Sequence, residues 1–498
     1  MQFFENLYIF EMANNHQGNL QHGMNIIKAM GDLSKRNDIK GAVKFQYRDL
    51  DTFIHEDFIA REDVKHIPRF IGTRLSDEEF RAMAQYVKEN GMVSISTPFD
   101  EISVEKCLKN DIDIIKIASC SADDWPLLDE ISKAGRPVIA STGGLSIYEI
   151  DNLVSFFQHR NVEFALMHCV ALYPTPNSNI QMNFLEKMIK RYPEITVGYS
   201  GHEAPDNNDV VKIAVSKGAR LLERHVGVET EDIKLNKYSM NPDEVEQWVK
   251  AAKLAQSICG DRGDKQVNEE EKSSLLSLKR GVYAIGNITK GEKIKKEDVF
   301  FAMPCEGGQL TSGEFGRYRS TFIASRDYKS NQGVFEKNED NSIIDTIRGI
   351  LHDAKGMMYE AGIRFGNDYS IEISHHYGIE RFREFGALIV NIINREYCKK
   401  LVLLLPNQKH PNHYHKIKEE TFQLLSGDVD VDIEGTVHSL KPGDTLLVER
   451  RMLHSFSSKN GGIFEEVSTT HVKGDSYYED GNIASLDPMQ RKTVIDEW

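Results

Sequence analysis

The first 265 residues repeat one local pattern eight times, a short apolar run followed by a longer charged stretch. The apolar runs are Leu7–Ala13, Gly41–Gln46, Met92–Phe99, Ile114–Ser119, Pro137–Thr142, Phe164–Val170, Thr196–His202 and Ala219–Gly227. Charged stretches such as Asp77–Asn90 and Asn207–Lys217 have helical spacing. Eight strand–helix units predict a (β/α)8 TIM barrel over residues 1–265. A doubly wound open sheet is the alternative, and the lack of GxGxxG after the first run argues against it.

Two further blocks follow a charged hinge at Gly263–Lys272. Residues 274–338 contain short strand-like runs with turn residues between them, which predict a small β-rich domain. Residues 340–498 open with a helical stretch, Ser342–Ala361, and continue as strand-like runs. These runs are Leu401–Leu405, Glu420–Leu425, Val429–Ile433, Asp444–Val448 and Phe464–Val467. Their spacing predicts an all-β domain, a double-sheet jelly roll.

Composition excludes several classes of function. The formal net charge of −15 makes nucleic acid and anionic membrane surfaces poor partners. No apolar stretch approaches 18 residues, and the first six residues lack the basic region of a secretory signal. The six cysteines are scattered without a CxxC pair, which indicates reduced thiols. Together these features predict a cytoplasmic protein.

Polar side chains recur at the ends of all eight predicted strands, where a (β/α)8 barrel holds its active site. Lys44 and Lys116, with nearby hydroxyls, suit a phosphate. His202 and His225 on adjacent strands could share one divalent metal with coordination positions left open. A lone lysine here is usually a solvated rim residue, and a lone histidine usually belongs to the core. Their coincidence at one end of the barrel nevertheless predicts a phosphate-binding enzyme.

The ordered motifs resemble those of the sialic acid synthase family. They are Glu11 with Asn15-His16, Val43–Gln46, Ser96–Phe99, Lys116–Ser119, Ser141–Gly143, His168-Cys169 with Tyr173–Pro176, Gly198–His202 and Glu223–His225. Residues 274–338 resemble the antifreeze-like (SAF) domain of the same family, around Ile288–Glu292 and Pro304. The resemblance covers about residues 5–338, two thirds of the chain.

The resemblance implies a reaction between phosphoenolpyruvate and the open-chain aldehyde of an aldose, giving a 2-keto-3-deoxy sugar acid and phosphate. Phosphoenolpyruvate would be bound by Lys44, Lys116, Ser119, Ser141 and Ser200. The catalytic residues would be Glu11, His202 and His225, of which the two histidines would bind Mn2+ or Mg2+. The sugar would be contacted by Gln46, Tyr173 and Asn236. A domain-swapped homodimer is also implied.

Several positions that face the sugar differ from those of well-known members of this family. The family residues Asp, Glu, Asn, Asp and a SAF-domain Arg are replaced here by Gly201, Ser121, Ala171, Asn236 and Met303. The lysines and the histidine pair are retained. This pattern predicts the same reaction type with a changed aldose, and loss of the arginine weakens the case for an acetamido sugar.

The third block contains an order of residues that looks like the metal motif of cupins. His413 and His415 would share one face of a strand, and Glu420 and His454 would complete a three-imidazole, one-carboxylate site. This site is predicted to bind a second divalent metal, Zn2+, Mn2+, Ni2+ or Fe2+. Glu419 is the alternative carboxylate, and a chance histidine-rich loop is the alternative to a site.

Two other functions remain open at this point. The chain could be bifunctional, or its main activity could be a sugar isomerase or epimerase in the cupin. It could also be a sugar-binding homologue whose barrel has altered or lost catalysis, since several sugar-facing residues differ.

Overall fold

The computed structural model describes residues 3–261, 263, 265–316, 321–337, 343–364, 366 and 368–495. The chain forms two compact units, Met1–Lys265 and Gln266–Trp498. The predicted domain ends at 1, 338, 340 and 498 and the helix start at Ser342 lie outside the described residues. The division into three domains stays a prediction.

The first unit contains a closed barrel of eight parallel strands, in which each strand pairs with its chain neighbours and the eighth returns to the first. The strands are β1 Leu7–Glu11, β2 Lys40–Tyr47, β3 Val93–Pro98, β4 Ile114–Ile117, β5 Val138–Ser141, β6 Phe164–Cys169, β7 Thr196–Gly201 and β8 Leu221–His225. The predicted (β/α)8 barrel is therefore confirmed, and the open-sheet alternative is wrong.

Ten helices accompany these strands among the described residues of the first unit. They are α1 Leu20–Arg36, α2 Leu50–Phe53, α3 Ile67–Gly72, α4 Asp77–Glu89, α5 Glu101–Lys109, α6 Trp125–Lys133, α7 Ile147–Gln158, α8 Met182–Arg191, α9 Asp209–Lys217 and α10 Pro242–Cys259. Capping residues define several starts, because a side-chain oxygen satisfies an otherwise free N–H group. Ser76 and Glu79 form such a capping box at α4.

The first unit has two apolar layers. The larger lies between strands and helices and includes Phe10, Phe45 and Trp248, all buried. The smaller fills the barrel interior with Ile9 and Ile139, among others. The inner layer closes the lower barrel, so that polar side chains inside it can gather only toward the carboxyl ends of the strands.

The second unit begins with a helix and a small β-rich region. The elements are α11 Glu269–Leu278, β9 Gly281–Ala284, β10 Lys293–Ile294, β11 Val299–Ala302, α12 Ser312–Gly316 and β12 Phe322–Ile323. Strand β9 pairs with β11 and β10 pairs with β12, both antiparallel. Helix α11 starts within the segment Gly263–Lys272 that the sequence predicts as a hinge, so the last part of that segment is helical. Asn268 caps its first turn, which carries three glutamates, a favourable arrangement at a helix N-terminus.

The remainder of the second unit is mostly β. Its elements are α13 Ile343–Glu360, β13 Ser370–His375, β14 Gly386–Asn394, β15 Tyr397–Leu404, β16 Lys409–Tyr414, β17 Glu420–Gly427, β18 Val429–Ile433, β19 Thr436–Leu440, β20 Thr445–Val448, β21 His454–Ser457, β22 Gly462–Thr469, β23 Tyr477–Tyr478, α14 Gly481–Ala484 and β24 Lys492–Ile495. A seven-stranded sheet has the order β20-β17-β22-β15-β14-β13-β24, and a five-stranded sheet has the order β19-β18-β21-β16-β23. The predicted all-β cupin fold is confirmed.

An apolar core lies between these two sheets. Phe422 and Phe464 of the seven-stranded sheet pack with Val431 and Phe456 of the five-stranded sheet. A second core lies where α13 packs through Ile350 against the seven-stranded sheet. In the described part of the chain, no helix combines the length and hydropathy needed to cross a bilayer.

Candidate active site and metal centre

Five barrel strands, β1, β2, β4, β5 and β8, change from an apolar to a polar side chain over two residues on their inward face. Ile9 belongs to the inner apolar layer and Glu11 lies two residues further on; the same step leads from Ile114 to Lys116. It recurs from Ala42 to Lys44, from Ile139 to Ser141 and from Leu221 to Glu223. Since residues i and i+2 share a strand face, the polar ends form one layer directly above the apolar one.

Lys44 lies at the centre of this polar layer. Its Nζ lies 2.6 Å from Glu11 Oε2 and donates a hydrogen bond to Glu223 Oε1 at 2.7 Å. The Ser200 hydroxyl donates to the same Glu223 oxygen at 2.8 Å, and the backbone N–H of Ala13 donates to Glu11 at 2.6 Å. All three charged side chains are at least 95% buried. Such a cluster is stable only because the charges are paired.

Lys116 occupies the other side of the Glu223 carboxylate. Its Nζ lies 3.5 Å from Glu223 Oε2 and donates to Ser141 Oγ at 2.6 Å. One small carboxylate is therefore contacted by both lysines. The two ammonium groups are close enough to bind a single anion, as the sequence analysis predicts for Lys44 and Lys116.

Burial and charge pairing set the protonation of these groups. Burial lowers the pKa of Lys116 to about 8, aided by the like charge of Lys44 and opposed by Glu223. Burial also acts to lower the pKa of Lys44, but Glu11 and Glu223 outweigh it and raise that pKa. Burial raises the pKa of Glu11, whereas the two lysines outweigh burial at Glu223 and lower its pKa. Glu11 is thus the carboxylate better suited to take and return a proton.

Ser119 extends the polar layer beyond β4. The backbone N–H of Gly143 donates to its hydroxyl at 3.0 Å, and Cys169 Sγ lies 3.3 Å away. A Cβ at Gly143 would lie 2.9 Å from Ser119 Oγ and 3.0 Å from Cys169 Sγ. The turn after β5 therefore requires glycine in order to approach Ser119 this closely.

His202 and His225 lie side by side at the ends of β7 and β8, with ring centroids 5.3 Å apart. His202 Nδ1 lies 3.1 Å from the carbonyl oxygen of Val170, which fixes the proton on Nδ1 and leaves the Nε2 lone pair unused. Burial lowers the pKa of His202 to about 4 and holds that of His225 well below its usual value. Neutral, oriented imidazoles fit a divalent cation, and two of them leave positions for other ligands.

Two tyrosines surround the histidine pair. Tyr173 lies 4.3 Å from His202 and 6.4 Å from His225 between ring centroids, and Tyr238 lies 5.1 Å from His225. Tyr173 was a predicted sugar contact, whereas Tyr238 was not among the predicted residues. Asn236 stands two residues before Tyr238, and its Oδ1 accepts from the backbone N–H groups of Tyr238 and Ser239. The side-chain oxygen of Asn236 therefore stabilises the loop through these two hydrogen bonds.

Gln46 is the inward-facing residue that follows Lys44 on β2. Its Oε1 accepts a hydrogen bond from an Arg48 guanidinium nitrogen at 3.1 Å. Arg48 is partly buried and continues the row of Lys44 and Gln46 toward the barrel mouth. This arginine was absent from the predicted site.

Gly201, one of the positions predicted to differ from the family, lies next to a buried carboxylate. A Cβ at Gly201 would fall 2.6 Å from Glu203 Oε2 and 2.9 Å from Tyr199 Cε1. Glu203 pairs with the fully buried Arg224 and accepts from the Tyr199 hydroxyl at 2.9 Å. The Glu203 carboxylate thus fills the space that a side chain at position 201 would need.

The second site lies between the two sheets of the jelly roll. His413 of β16 is paired with His454 of β21, Glu420 begins β17 of the other sheet, and His415 directly follows β16. Donor atoms of these four buried residues lie within 4.8 Å of one another. His415 Nε2, Glu420 Oε2 and His454 Nε2 are buried without a hydrogen-bond partner. Converging unpaired donors of this kind fit a divalent cation.

Backbone carbonyl groups orient the three imidazoles. The Nδ1 atoms of His413, His415 and His454 lie 3.1, 2.6 and 3.0 Å from the carbonyl oxygens of Pro411, Asp475 and Met452. Each contact fixes the proton on Nδ1 and leaves Nε2 for a metal. The geometry selects Glu420 over its neighbour Glu419, and it is inconsistent with a chance histidine-rich loop.

Charges around this second site keep its ligands in metal-binding form. Burial lowers the pKa of His415 to about 4 and that of His413 well below its usual value, so both are neutral near pH 7. Burial would raise the pKa of Glu420, but the adjacent Lys418 ammonium outweighs it, and the pKa lies well below its usual value. Lys418 also contacts Glu466 at 3.0 Å, which anchors it.

The structure thus brings most of the predicted site residues together, with one central residue missing from the prediction. Glu223, which links Lys44, Lys116 and Ser200, was only one of the strand-end groups noted in the sequence. Its signal was the i,i+2 spacing to His225, which places both on one strand face. The roles assigned to individual residues stay predictions.

Comparisons with known proteins agree with both parts of the fold. Residues 39–264 match the NeuB family, and residues 400–464 match the cupin domain. A protein of Methanocaldococcus jannaschii without an assigned function is 31% identical over 60% of this chain and 85% of its own length. Human N-acetylneuraminate-9-phosphate synthase is 25% identical over 57% of this chain and 79% of its own.

A solved structure gives a closer match. Spore coat polysaccharide biosynthesis protein E of Chromobacterium violaceum is 42% identical, with a TM-score of 0.63 over 66% of this chain and 98% of that chain. The barrel fold, the order of the strand-end residues and these similarities all indicate the same family. The chain belongs to the NeuB family, the family of the sialic acid synthases, and carries a cupin domain in its C-terminal part.

Proposed function

We propose that the barrel condenses phosphoenolpyruvate with the open-chain aldehyde of an aldose, giving a 2-keto-3-deoxy sugar acid and phosphate. The observation that carries the proposal is that Lys44 and Lys116 contact one carboxylate beside the His202–His225 pair. Family membership supports the same reaction, and the human relative is named as a synthase of this type of sugar acid.

The two lysines bind the phosphate and carboxylate of phosphoenolpyruvate. In the structure described here, Glu223 and Glu11 neutralise these ammonium groups. When the substrate binds, the two lysines exchange part of their contact with Glu11 and Glu223 for contact with the phosphate and carboxylate of the substrate. The hydroxyl groups of Ser119, Ser141 and Ser200 donate to its oxygens, and the Gly143 turn brings a backbone N–H close to Ser119.

The new carbon–carbon bond joins C3 of phosphoenolpyruvate to the aldehyde carbon. The electron pair comes from the enol double bond, and the aldehyde oxygen takes up one proton and becomes a hydroxyl group. Positive charge then develops at C2, and water adds there. The added hydroxyl group loses its proton and becomes the keto oxygen as the bond from C2 to the phosphate oxygen breaks, so that phosphate leaves with that proton. Glu11 accepts the proton of the attacking water, because burial raises its pKa and Lys44 holds its other oxygen.

His202 and His225 are the residues that would hold a divalent cation, Mn2+ or Mg2+. A cation at this place supplies Lewis-acid polarisation of the aldehyde oxygen. Tyr173 and Tyr238 lie against the two imidazoles and help to keep them in place. Gln46 and Tyr173 bound the space in which the aldose lies.

We further propose the three-domain division and the domain-swapped dimer that the family resemblance implies.

The test measures phosphate release from phosphoenolpyruvate with a panel of aldoses of four to seven carbons, with and without acetamido groups, in the presence of Mn2+. We expect release only when all three components are present, with the condensed acid identified by mass spectrometry. Release that no aldose stimulates would contradict the proposal and favour a sugar-binding homologue. Glu11→Gln should lose turnover while still binding phosphoenolpyruvate.

A second candidate function concerns the cupin. We propose that His413, His415, Glu420 and His454 bind one divalent cation, because three of their donor atoms are buried and unpaired. The experiment compares metal content of the protein before and after His413→Ala. Unchanged phosphate release in this variant, with loss of any aldose–ketose interconversion, would assign an isomerase activity to the cupin. Full metal retention would contradict the site.

A further inference from the structure

Arg48 follows β2 at the mouth of the barrel, and the mechanism above makes no use of it. The side chains of Lys44, Gln46 and Arg48 form a row along one strand face, with steps of about 6.6 Å at two residues each. Lys44 lies deepest, in the proposed phosphoenolpyruvate site. Arg48 therefore lies above that site, on the side from which the second substrate enters.

Two aromatic rings stack against the Arg48 guanidinium. Its carbon lies 3.6 Å from the centroid of Phe99 and 4.1 Å from that of Phe70, which belongs to α3. Phe53 of α2 lies further away, at 6.0 Å. Stacking leaves only the edge of the guanidinium, where its N–H donors lie, for other partners. The inserted helices α2 and α3 thus hold Arg48 in one orientation.

The donors of Arg48 are incompletely used. One nitrogen donates to Gln46, whereas Nε is buried and has no hydrogen-bond partner. Throughout the described ranges, no carboxylate forms an ion pair with Arg48. An unpaired buried donor is unfavourable, and more so when it is charged.

Two neighbouring cations differ from Arg48 in this respect. Arg48, Arg74 and Lys106 line one cavity of about 540 Å³. Arg74 forms two hydrogen bonds with Asp51, at 2.9 and 2.6 Å, and Lys106 pairs with Asp49 and Asp77. Each of these two cations has its own carboxylate, whereas Arg48 has none.

An arginine cannot escape this situation by losing its proton. Even though burial lowers the pKa of Arg48 to about 10, the group stays charged near pH 7. A partly buried cation that forms no ion pair is stabilised when a ligand supplies the negative charge. A planar guanidinium with a free edge matches a phosphate or a carboxylate, which it can contact through two donors.

We infer that Arg48 binds an anionic group on the aldose, so that the acceptor is a sugar phosphate or a sugar carrying a carboxylate. This inference rests on the proposed function and names the substrate class of the same site. The anion lies at the end of the sugar remote from the aldehyde, because Lys44 lies deep in the barrel and Arg48 lies at its mouth. Arg48 is a specificity-determining residue for this substrate.

The experiment compares matched acceptors in the phosphate-release assay with the full-length chain. The pairs are mannose with mannose 6-phosphate and N-acetylmannosamine with its 6-phosphate, and mannuronate tests the carboxylate. We expect phosphate release with one anionic class and a KM at least 10-fold higher for the neutral partner. Arg48→Met should raise the KM for the anionic acceptor about 100-fold, because the charged contact to the anion is lost.

Two further variants test whether the effect is specific. Arg48→Lys keeps the charge but lacks the planar fork, so the KM should rise less than in Arg48→Met. Arg74→Met removes a cation of the same cavity that already has a carboxylate partner, and it should leave the KM values unchanged. The KM for phosphoenolpyruvate should stay within about twofold in all three variants. Thermal melting establishes that each variant is folded.

Other outcomes separate this inference from the proposed function. Equal use of neutral and anionic acceptors, or a larger change in the KM for phosphoenolpyruvate than for the sugar, would overturn the inference and leave the synthase intact. If no aldose stimulates phosphate release, the proposed function fails, and calorimetric titration with mannose 6-phosphate decides about Arg48. Binding that Arg48→Met abolishes would then support the inference, and equal binding by both proteins would overturn it.

Discussion

The barrel offers two imidazoles to a metal, whereas the jelly roll offers three imidazoles and one carboxylate. The barrel histidines lie beside paired lysines and carboxylates, which balance each other's charge without any ligand. The jelly-roll donors converge from two sheets, and three of them have no other partner. This difference agrees with the proposals that the barrel lysines bind the substrate and that the jelly-roll site binds an ion.

The strongest test of this contrast is a change in the lysine pair. Lys116→Met removes a buried cation that contacts Glu223 and Ser141, and it leaves one negative charge in excess. We expect kcat/KM for phosphoenolpyruvate to fall about 1000-fold, which corresponds to about 4 kcal/mol. Lys212→Met, which changes an exposed lysine on α9, is the matched control. A fall below 10-fold would show that Lys116 does not bind the substrate.

Metal retention distinguishes the two sites next. After gel filtration without added metal, we expect about one equivalent of divalent metal per chain by inductively coupled plasma mass spectrometry, held in the jelly roll. His413→Ala should remove it, because one of four ligands is lost and the affinity falls by about 100-fold or more. His202→Ala should abolish phosphate release but leave the retained metal unchanged. If His202→Ala lost the retained metal and His413→Ala kept it, the barrel would be the site that holds the metal tightly.

The smallest expected effect is a pH dependence confined to the barrel. The ammonium form of Lys116 binds the anion, and burial lowers its pKa to about 8. Affinity for phosphoenolpyruvate should therefore be nearly complete one pH unit below this pKa, and it should decrease up to 10-fold per pH unit above it. The KM for phosphoenolpyruvate measured between pH 6.5 and 9.5 provides the check. A constant KM across this range would indicate that Lys116 keeps its charge throughout.

The strand pattern of the barrel was predictable because every strand is buried on both sides. Such strands form apolar runs with polar ends, and their parity shows which residues share a face. The alternation of residues along one strand cannot show which side chains meet across the barrel, since those contacts depend on the register between neighbouring strands. The central position of Glu223, between Lys44 and Lys116, follows from that register and not from any local pattern.

Loops and histidine-rich strands were harder to predict. Tyr238 lies in the loop after β8, and Arg48 contacts residues from helices α2 and α3. The positions of both side chains therefore depend on how long connecting segments fold, which local sequence patterns do not show. Strands β16 and β21 carry the metal-site histidines in place of apolar residues, which removes the alternation that marks a strand. The four residues of that site were nevertheless predicted, because their order and spacing are diagnostic where hydropathy is not.

The two-residue step inside the barrel, from Ile9 to Glu11 and from Ile114 to Lys116, also separates two kinds of evolutionary constraint. Substitutions in the lower layer create voids and endanger folding, whereas those one step higher alter chemistry over an intact support. Selection can therefore change the mouth, where Gly201 and Asn236 stand at positions predicted to differ from the family, while the apolar layer stays unchanged. New acceptor preferences within this lineage should accordingly arise without loss of thermal robustness.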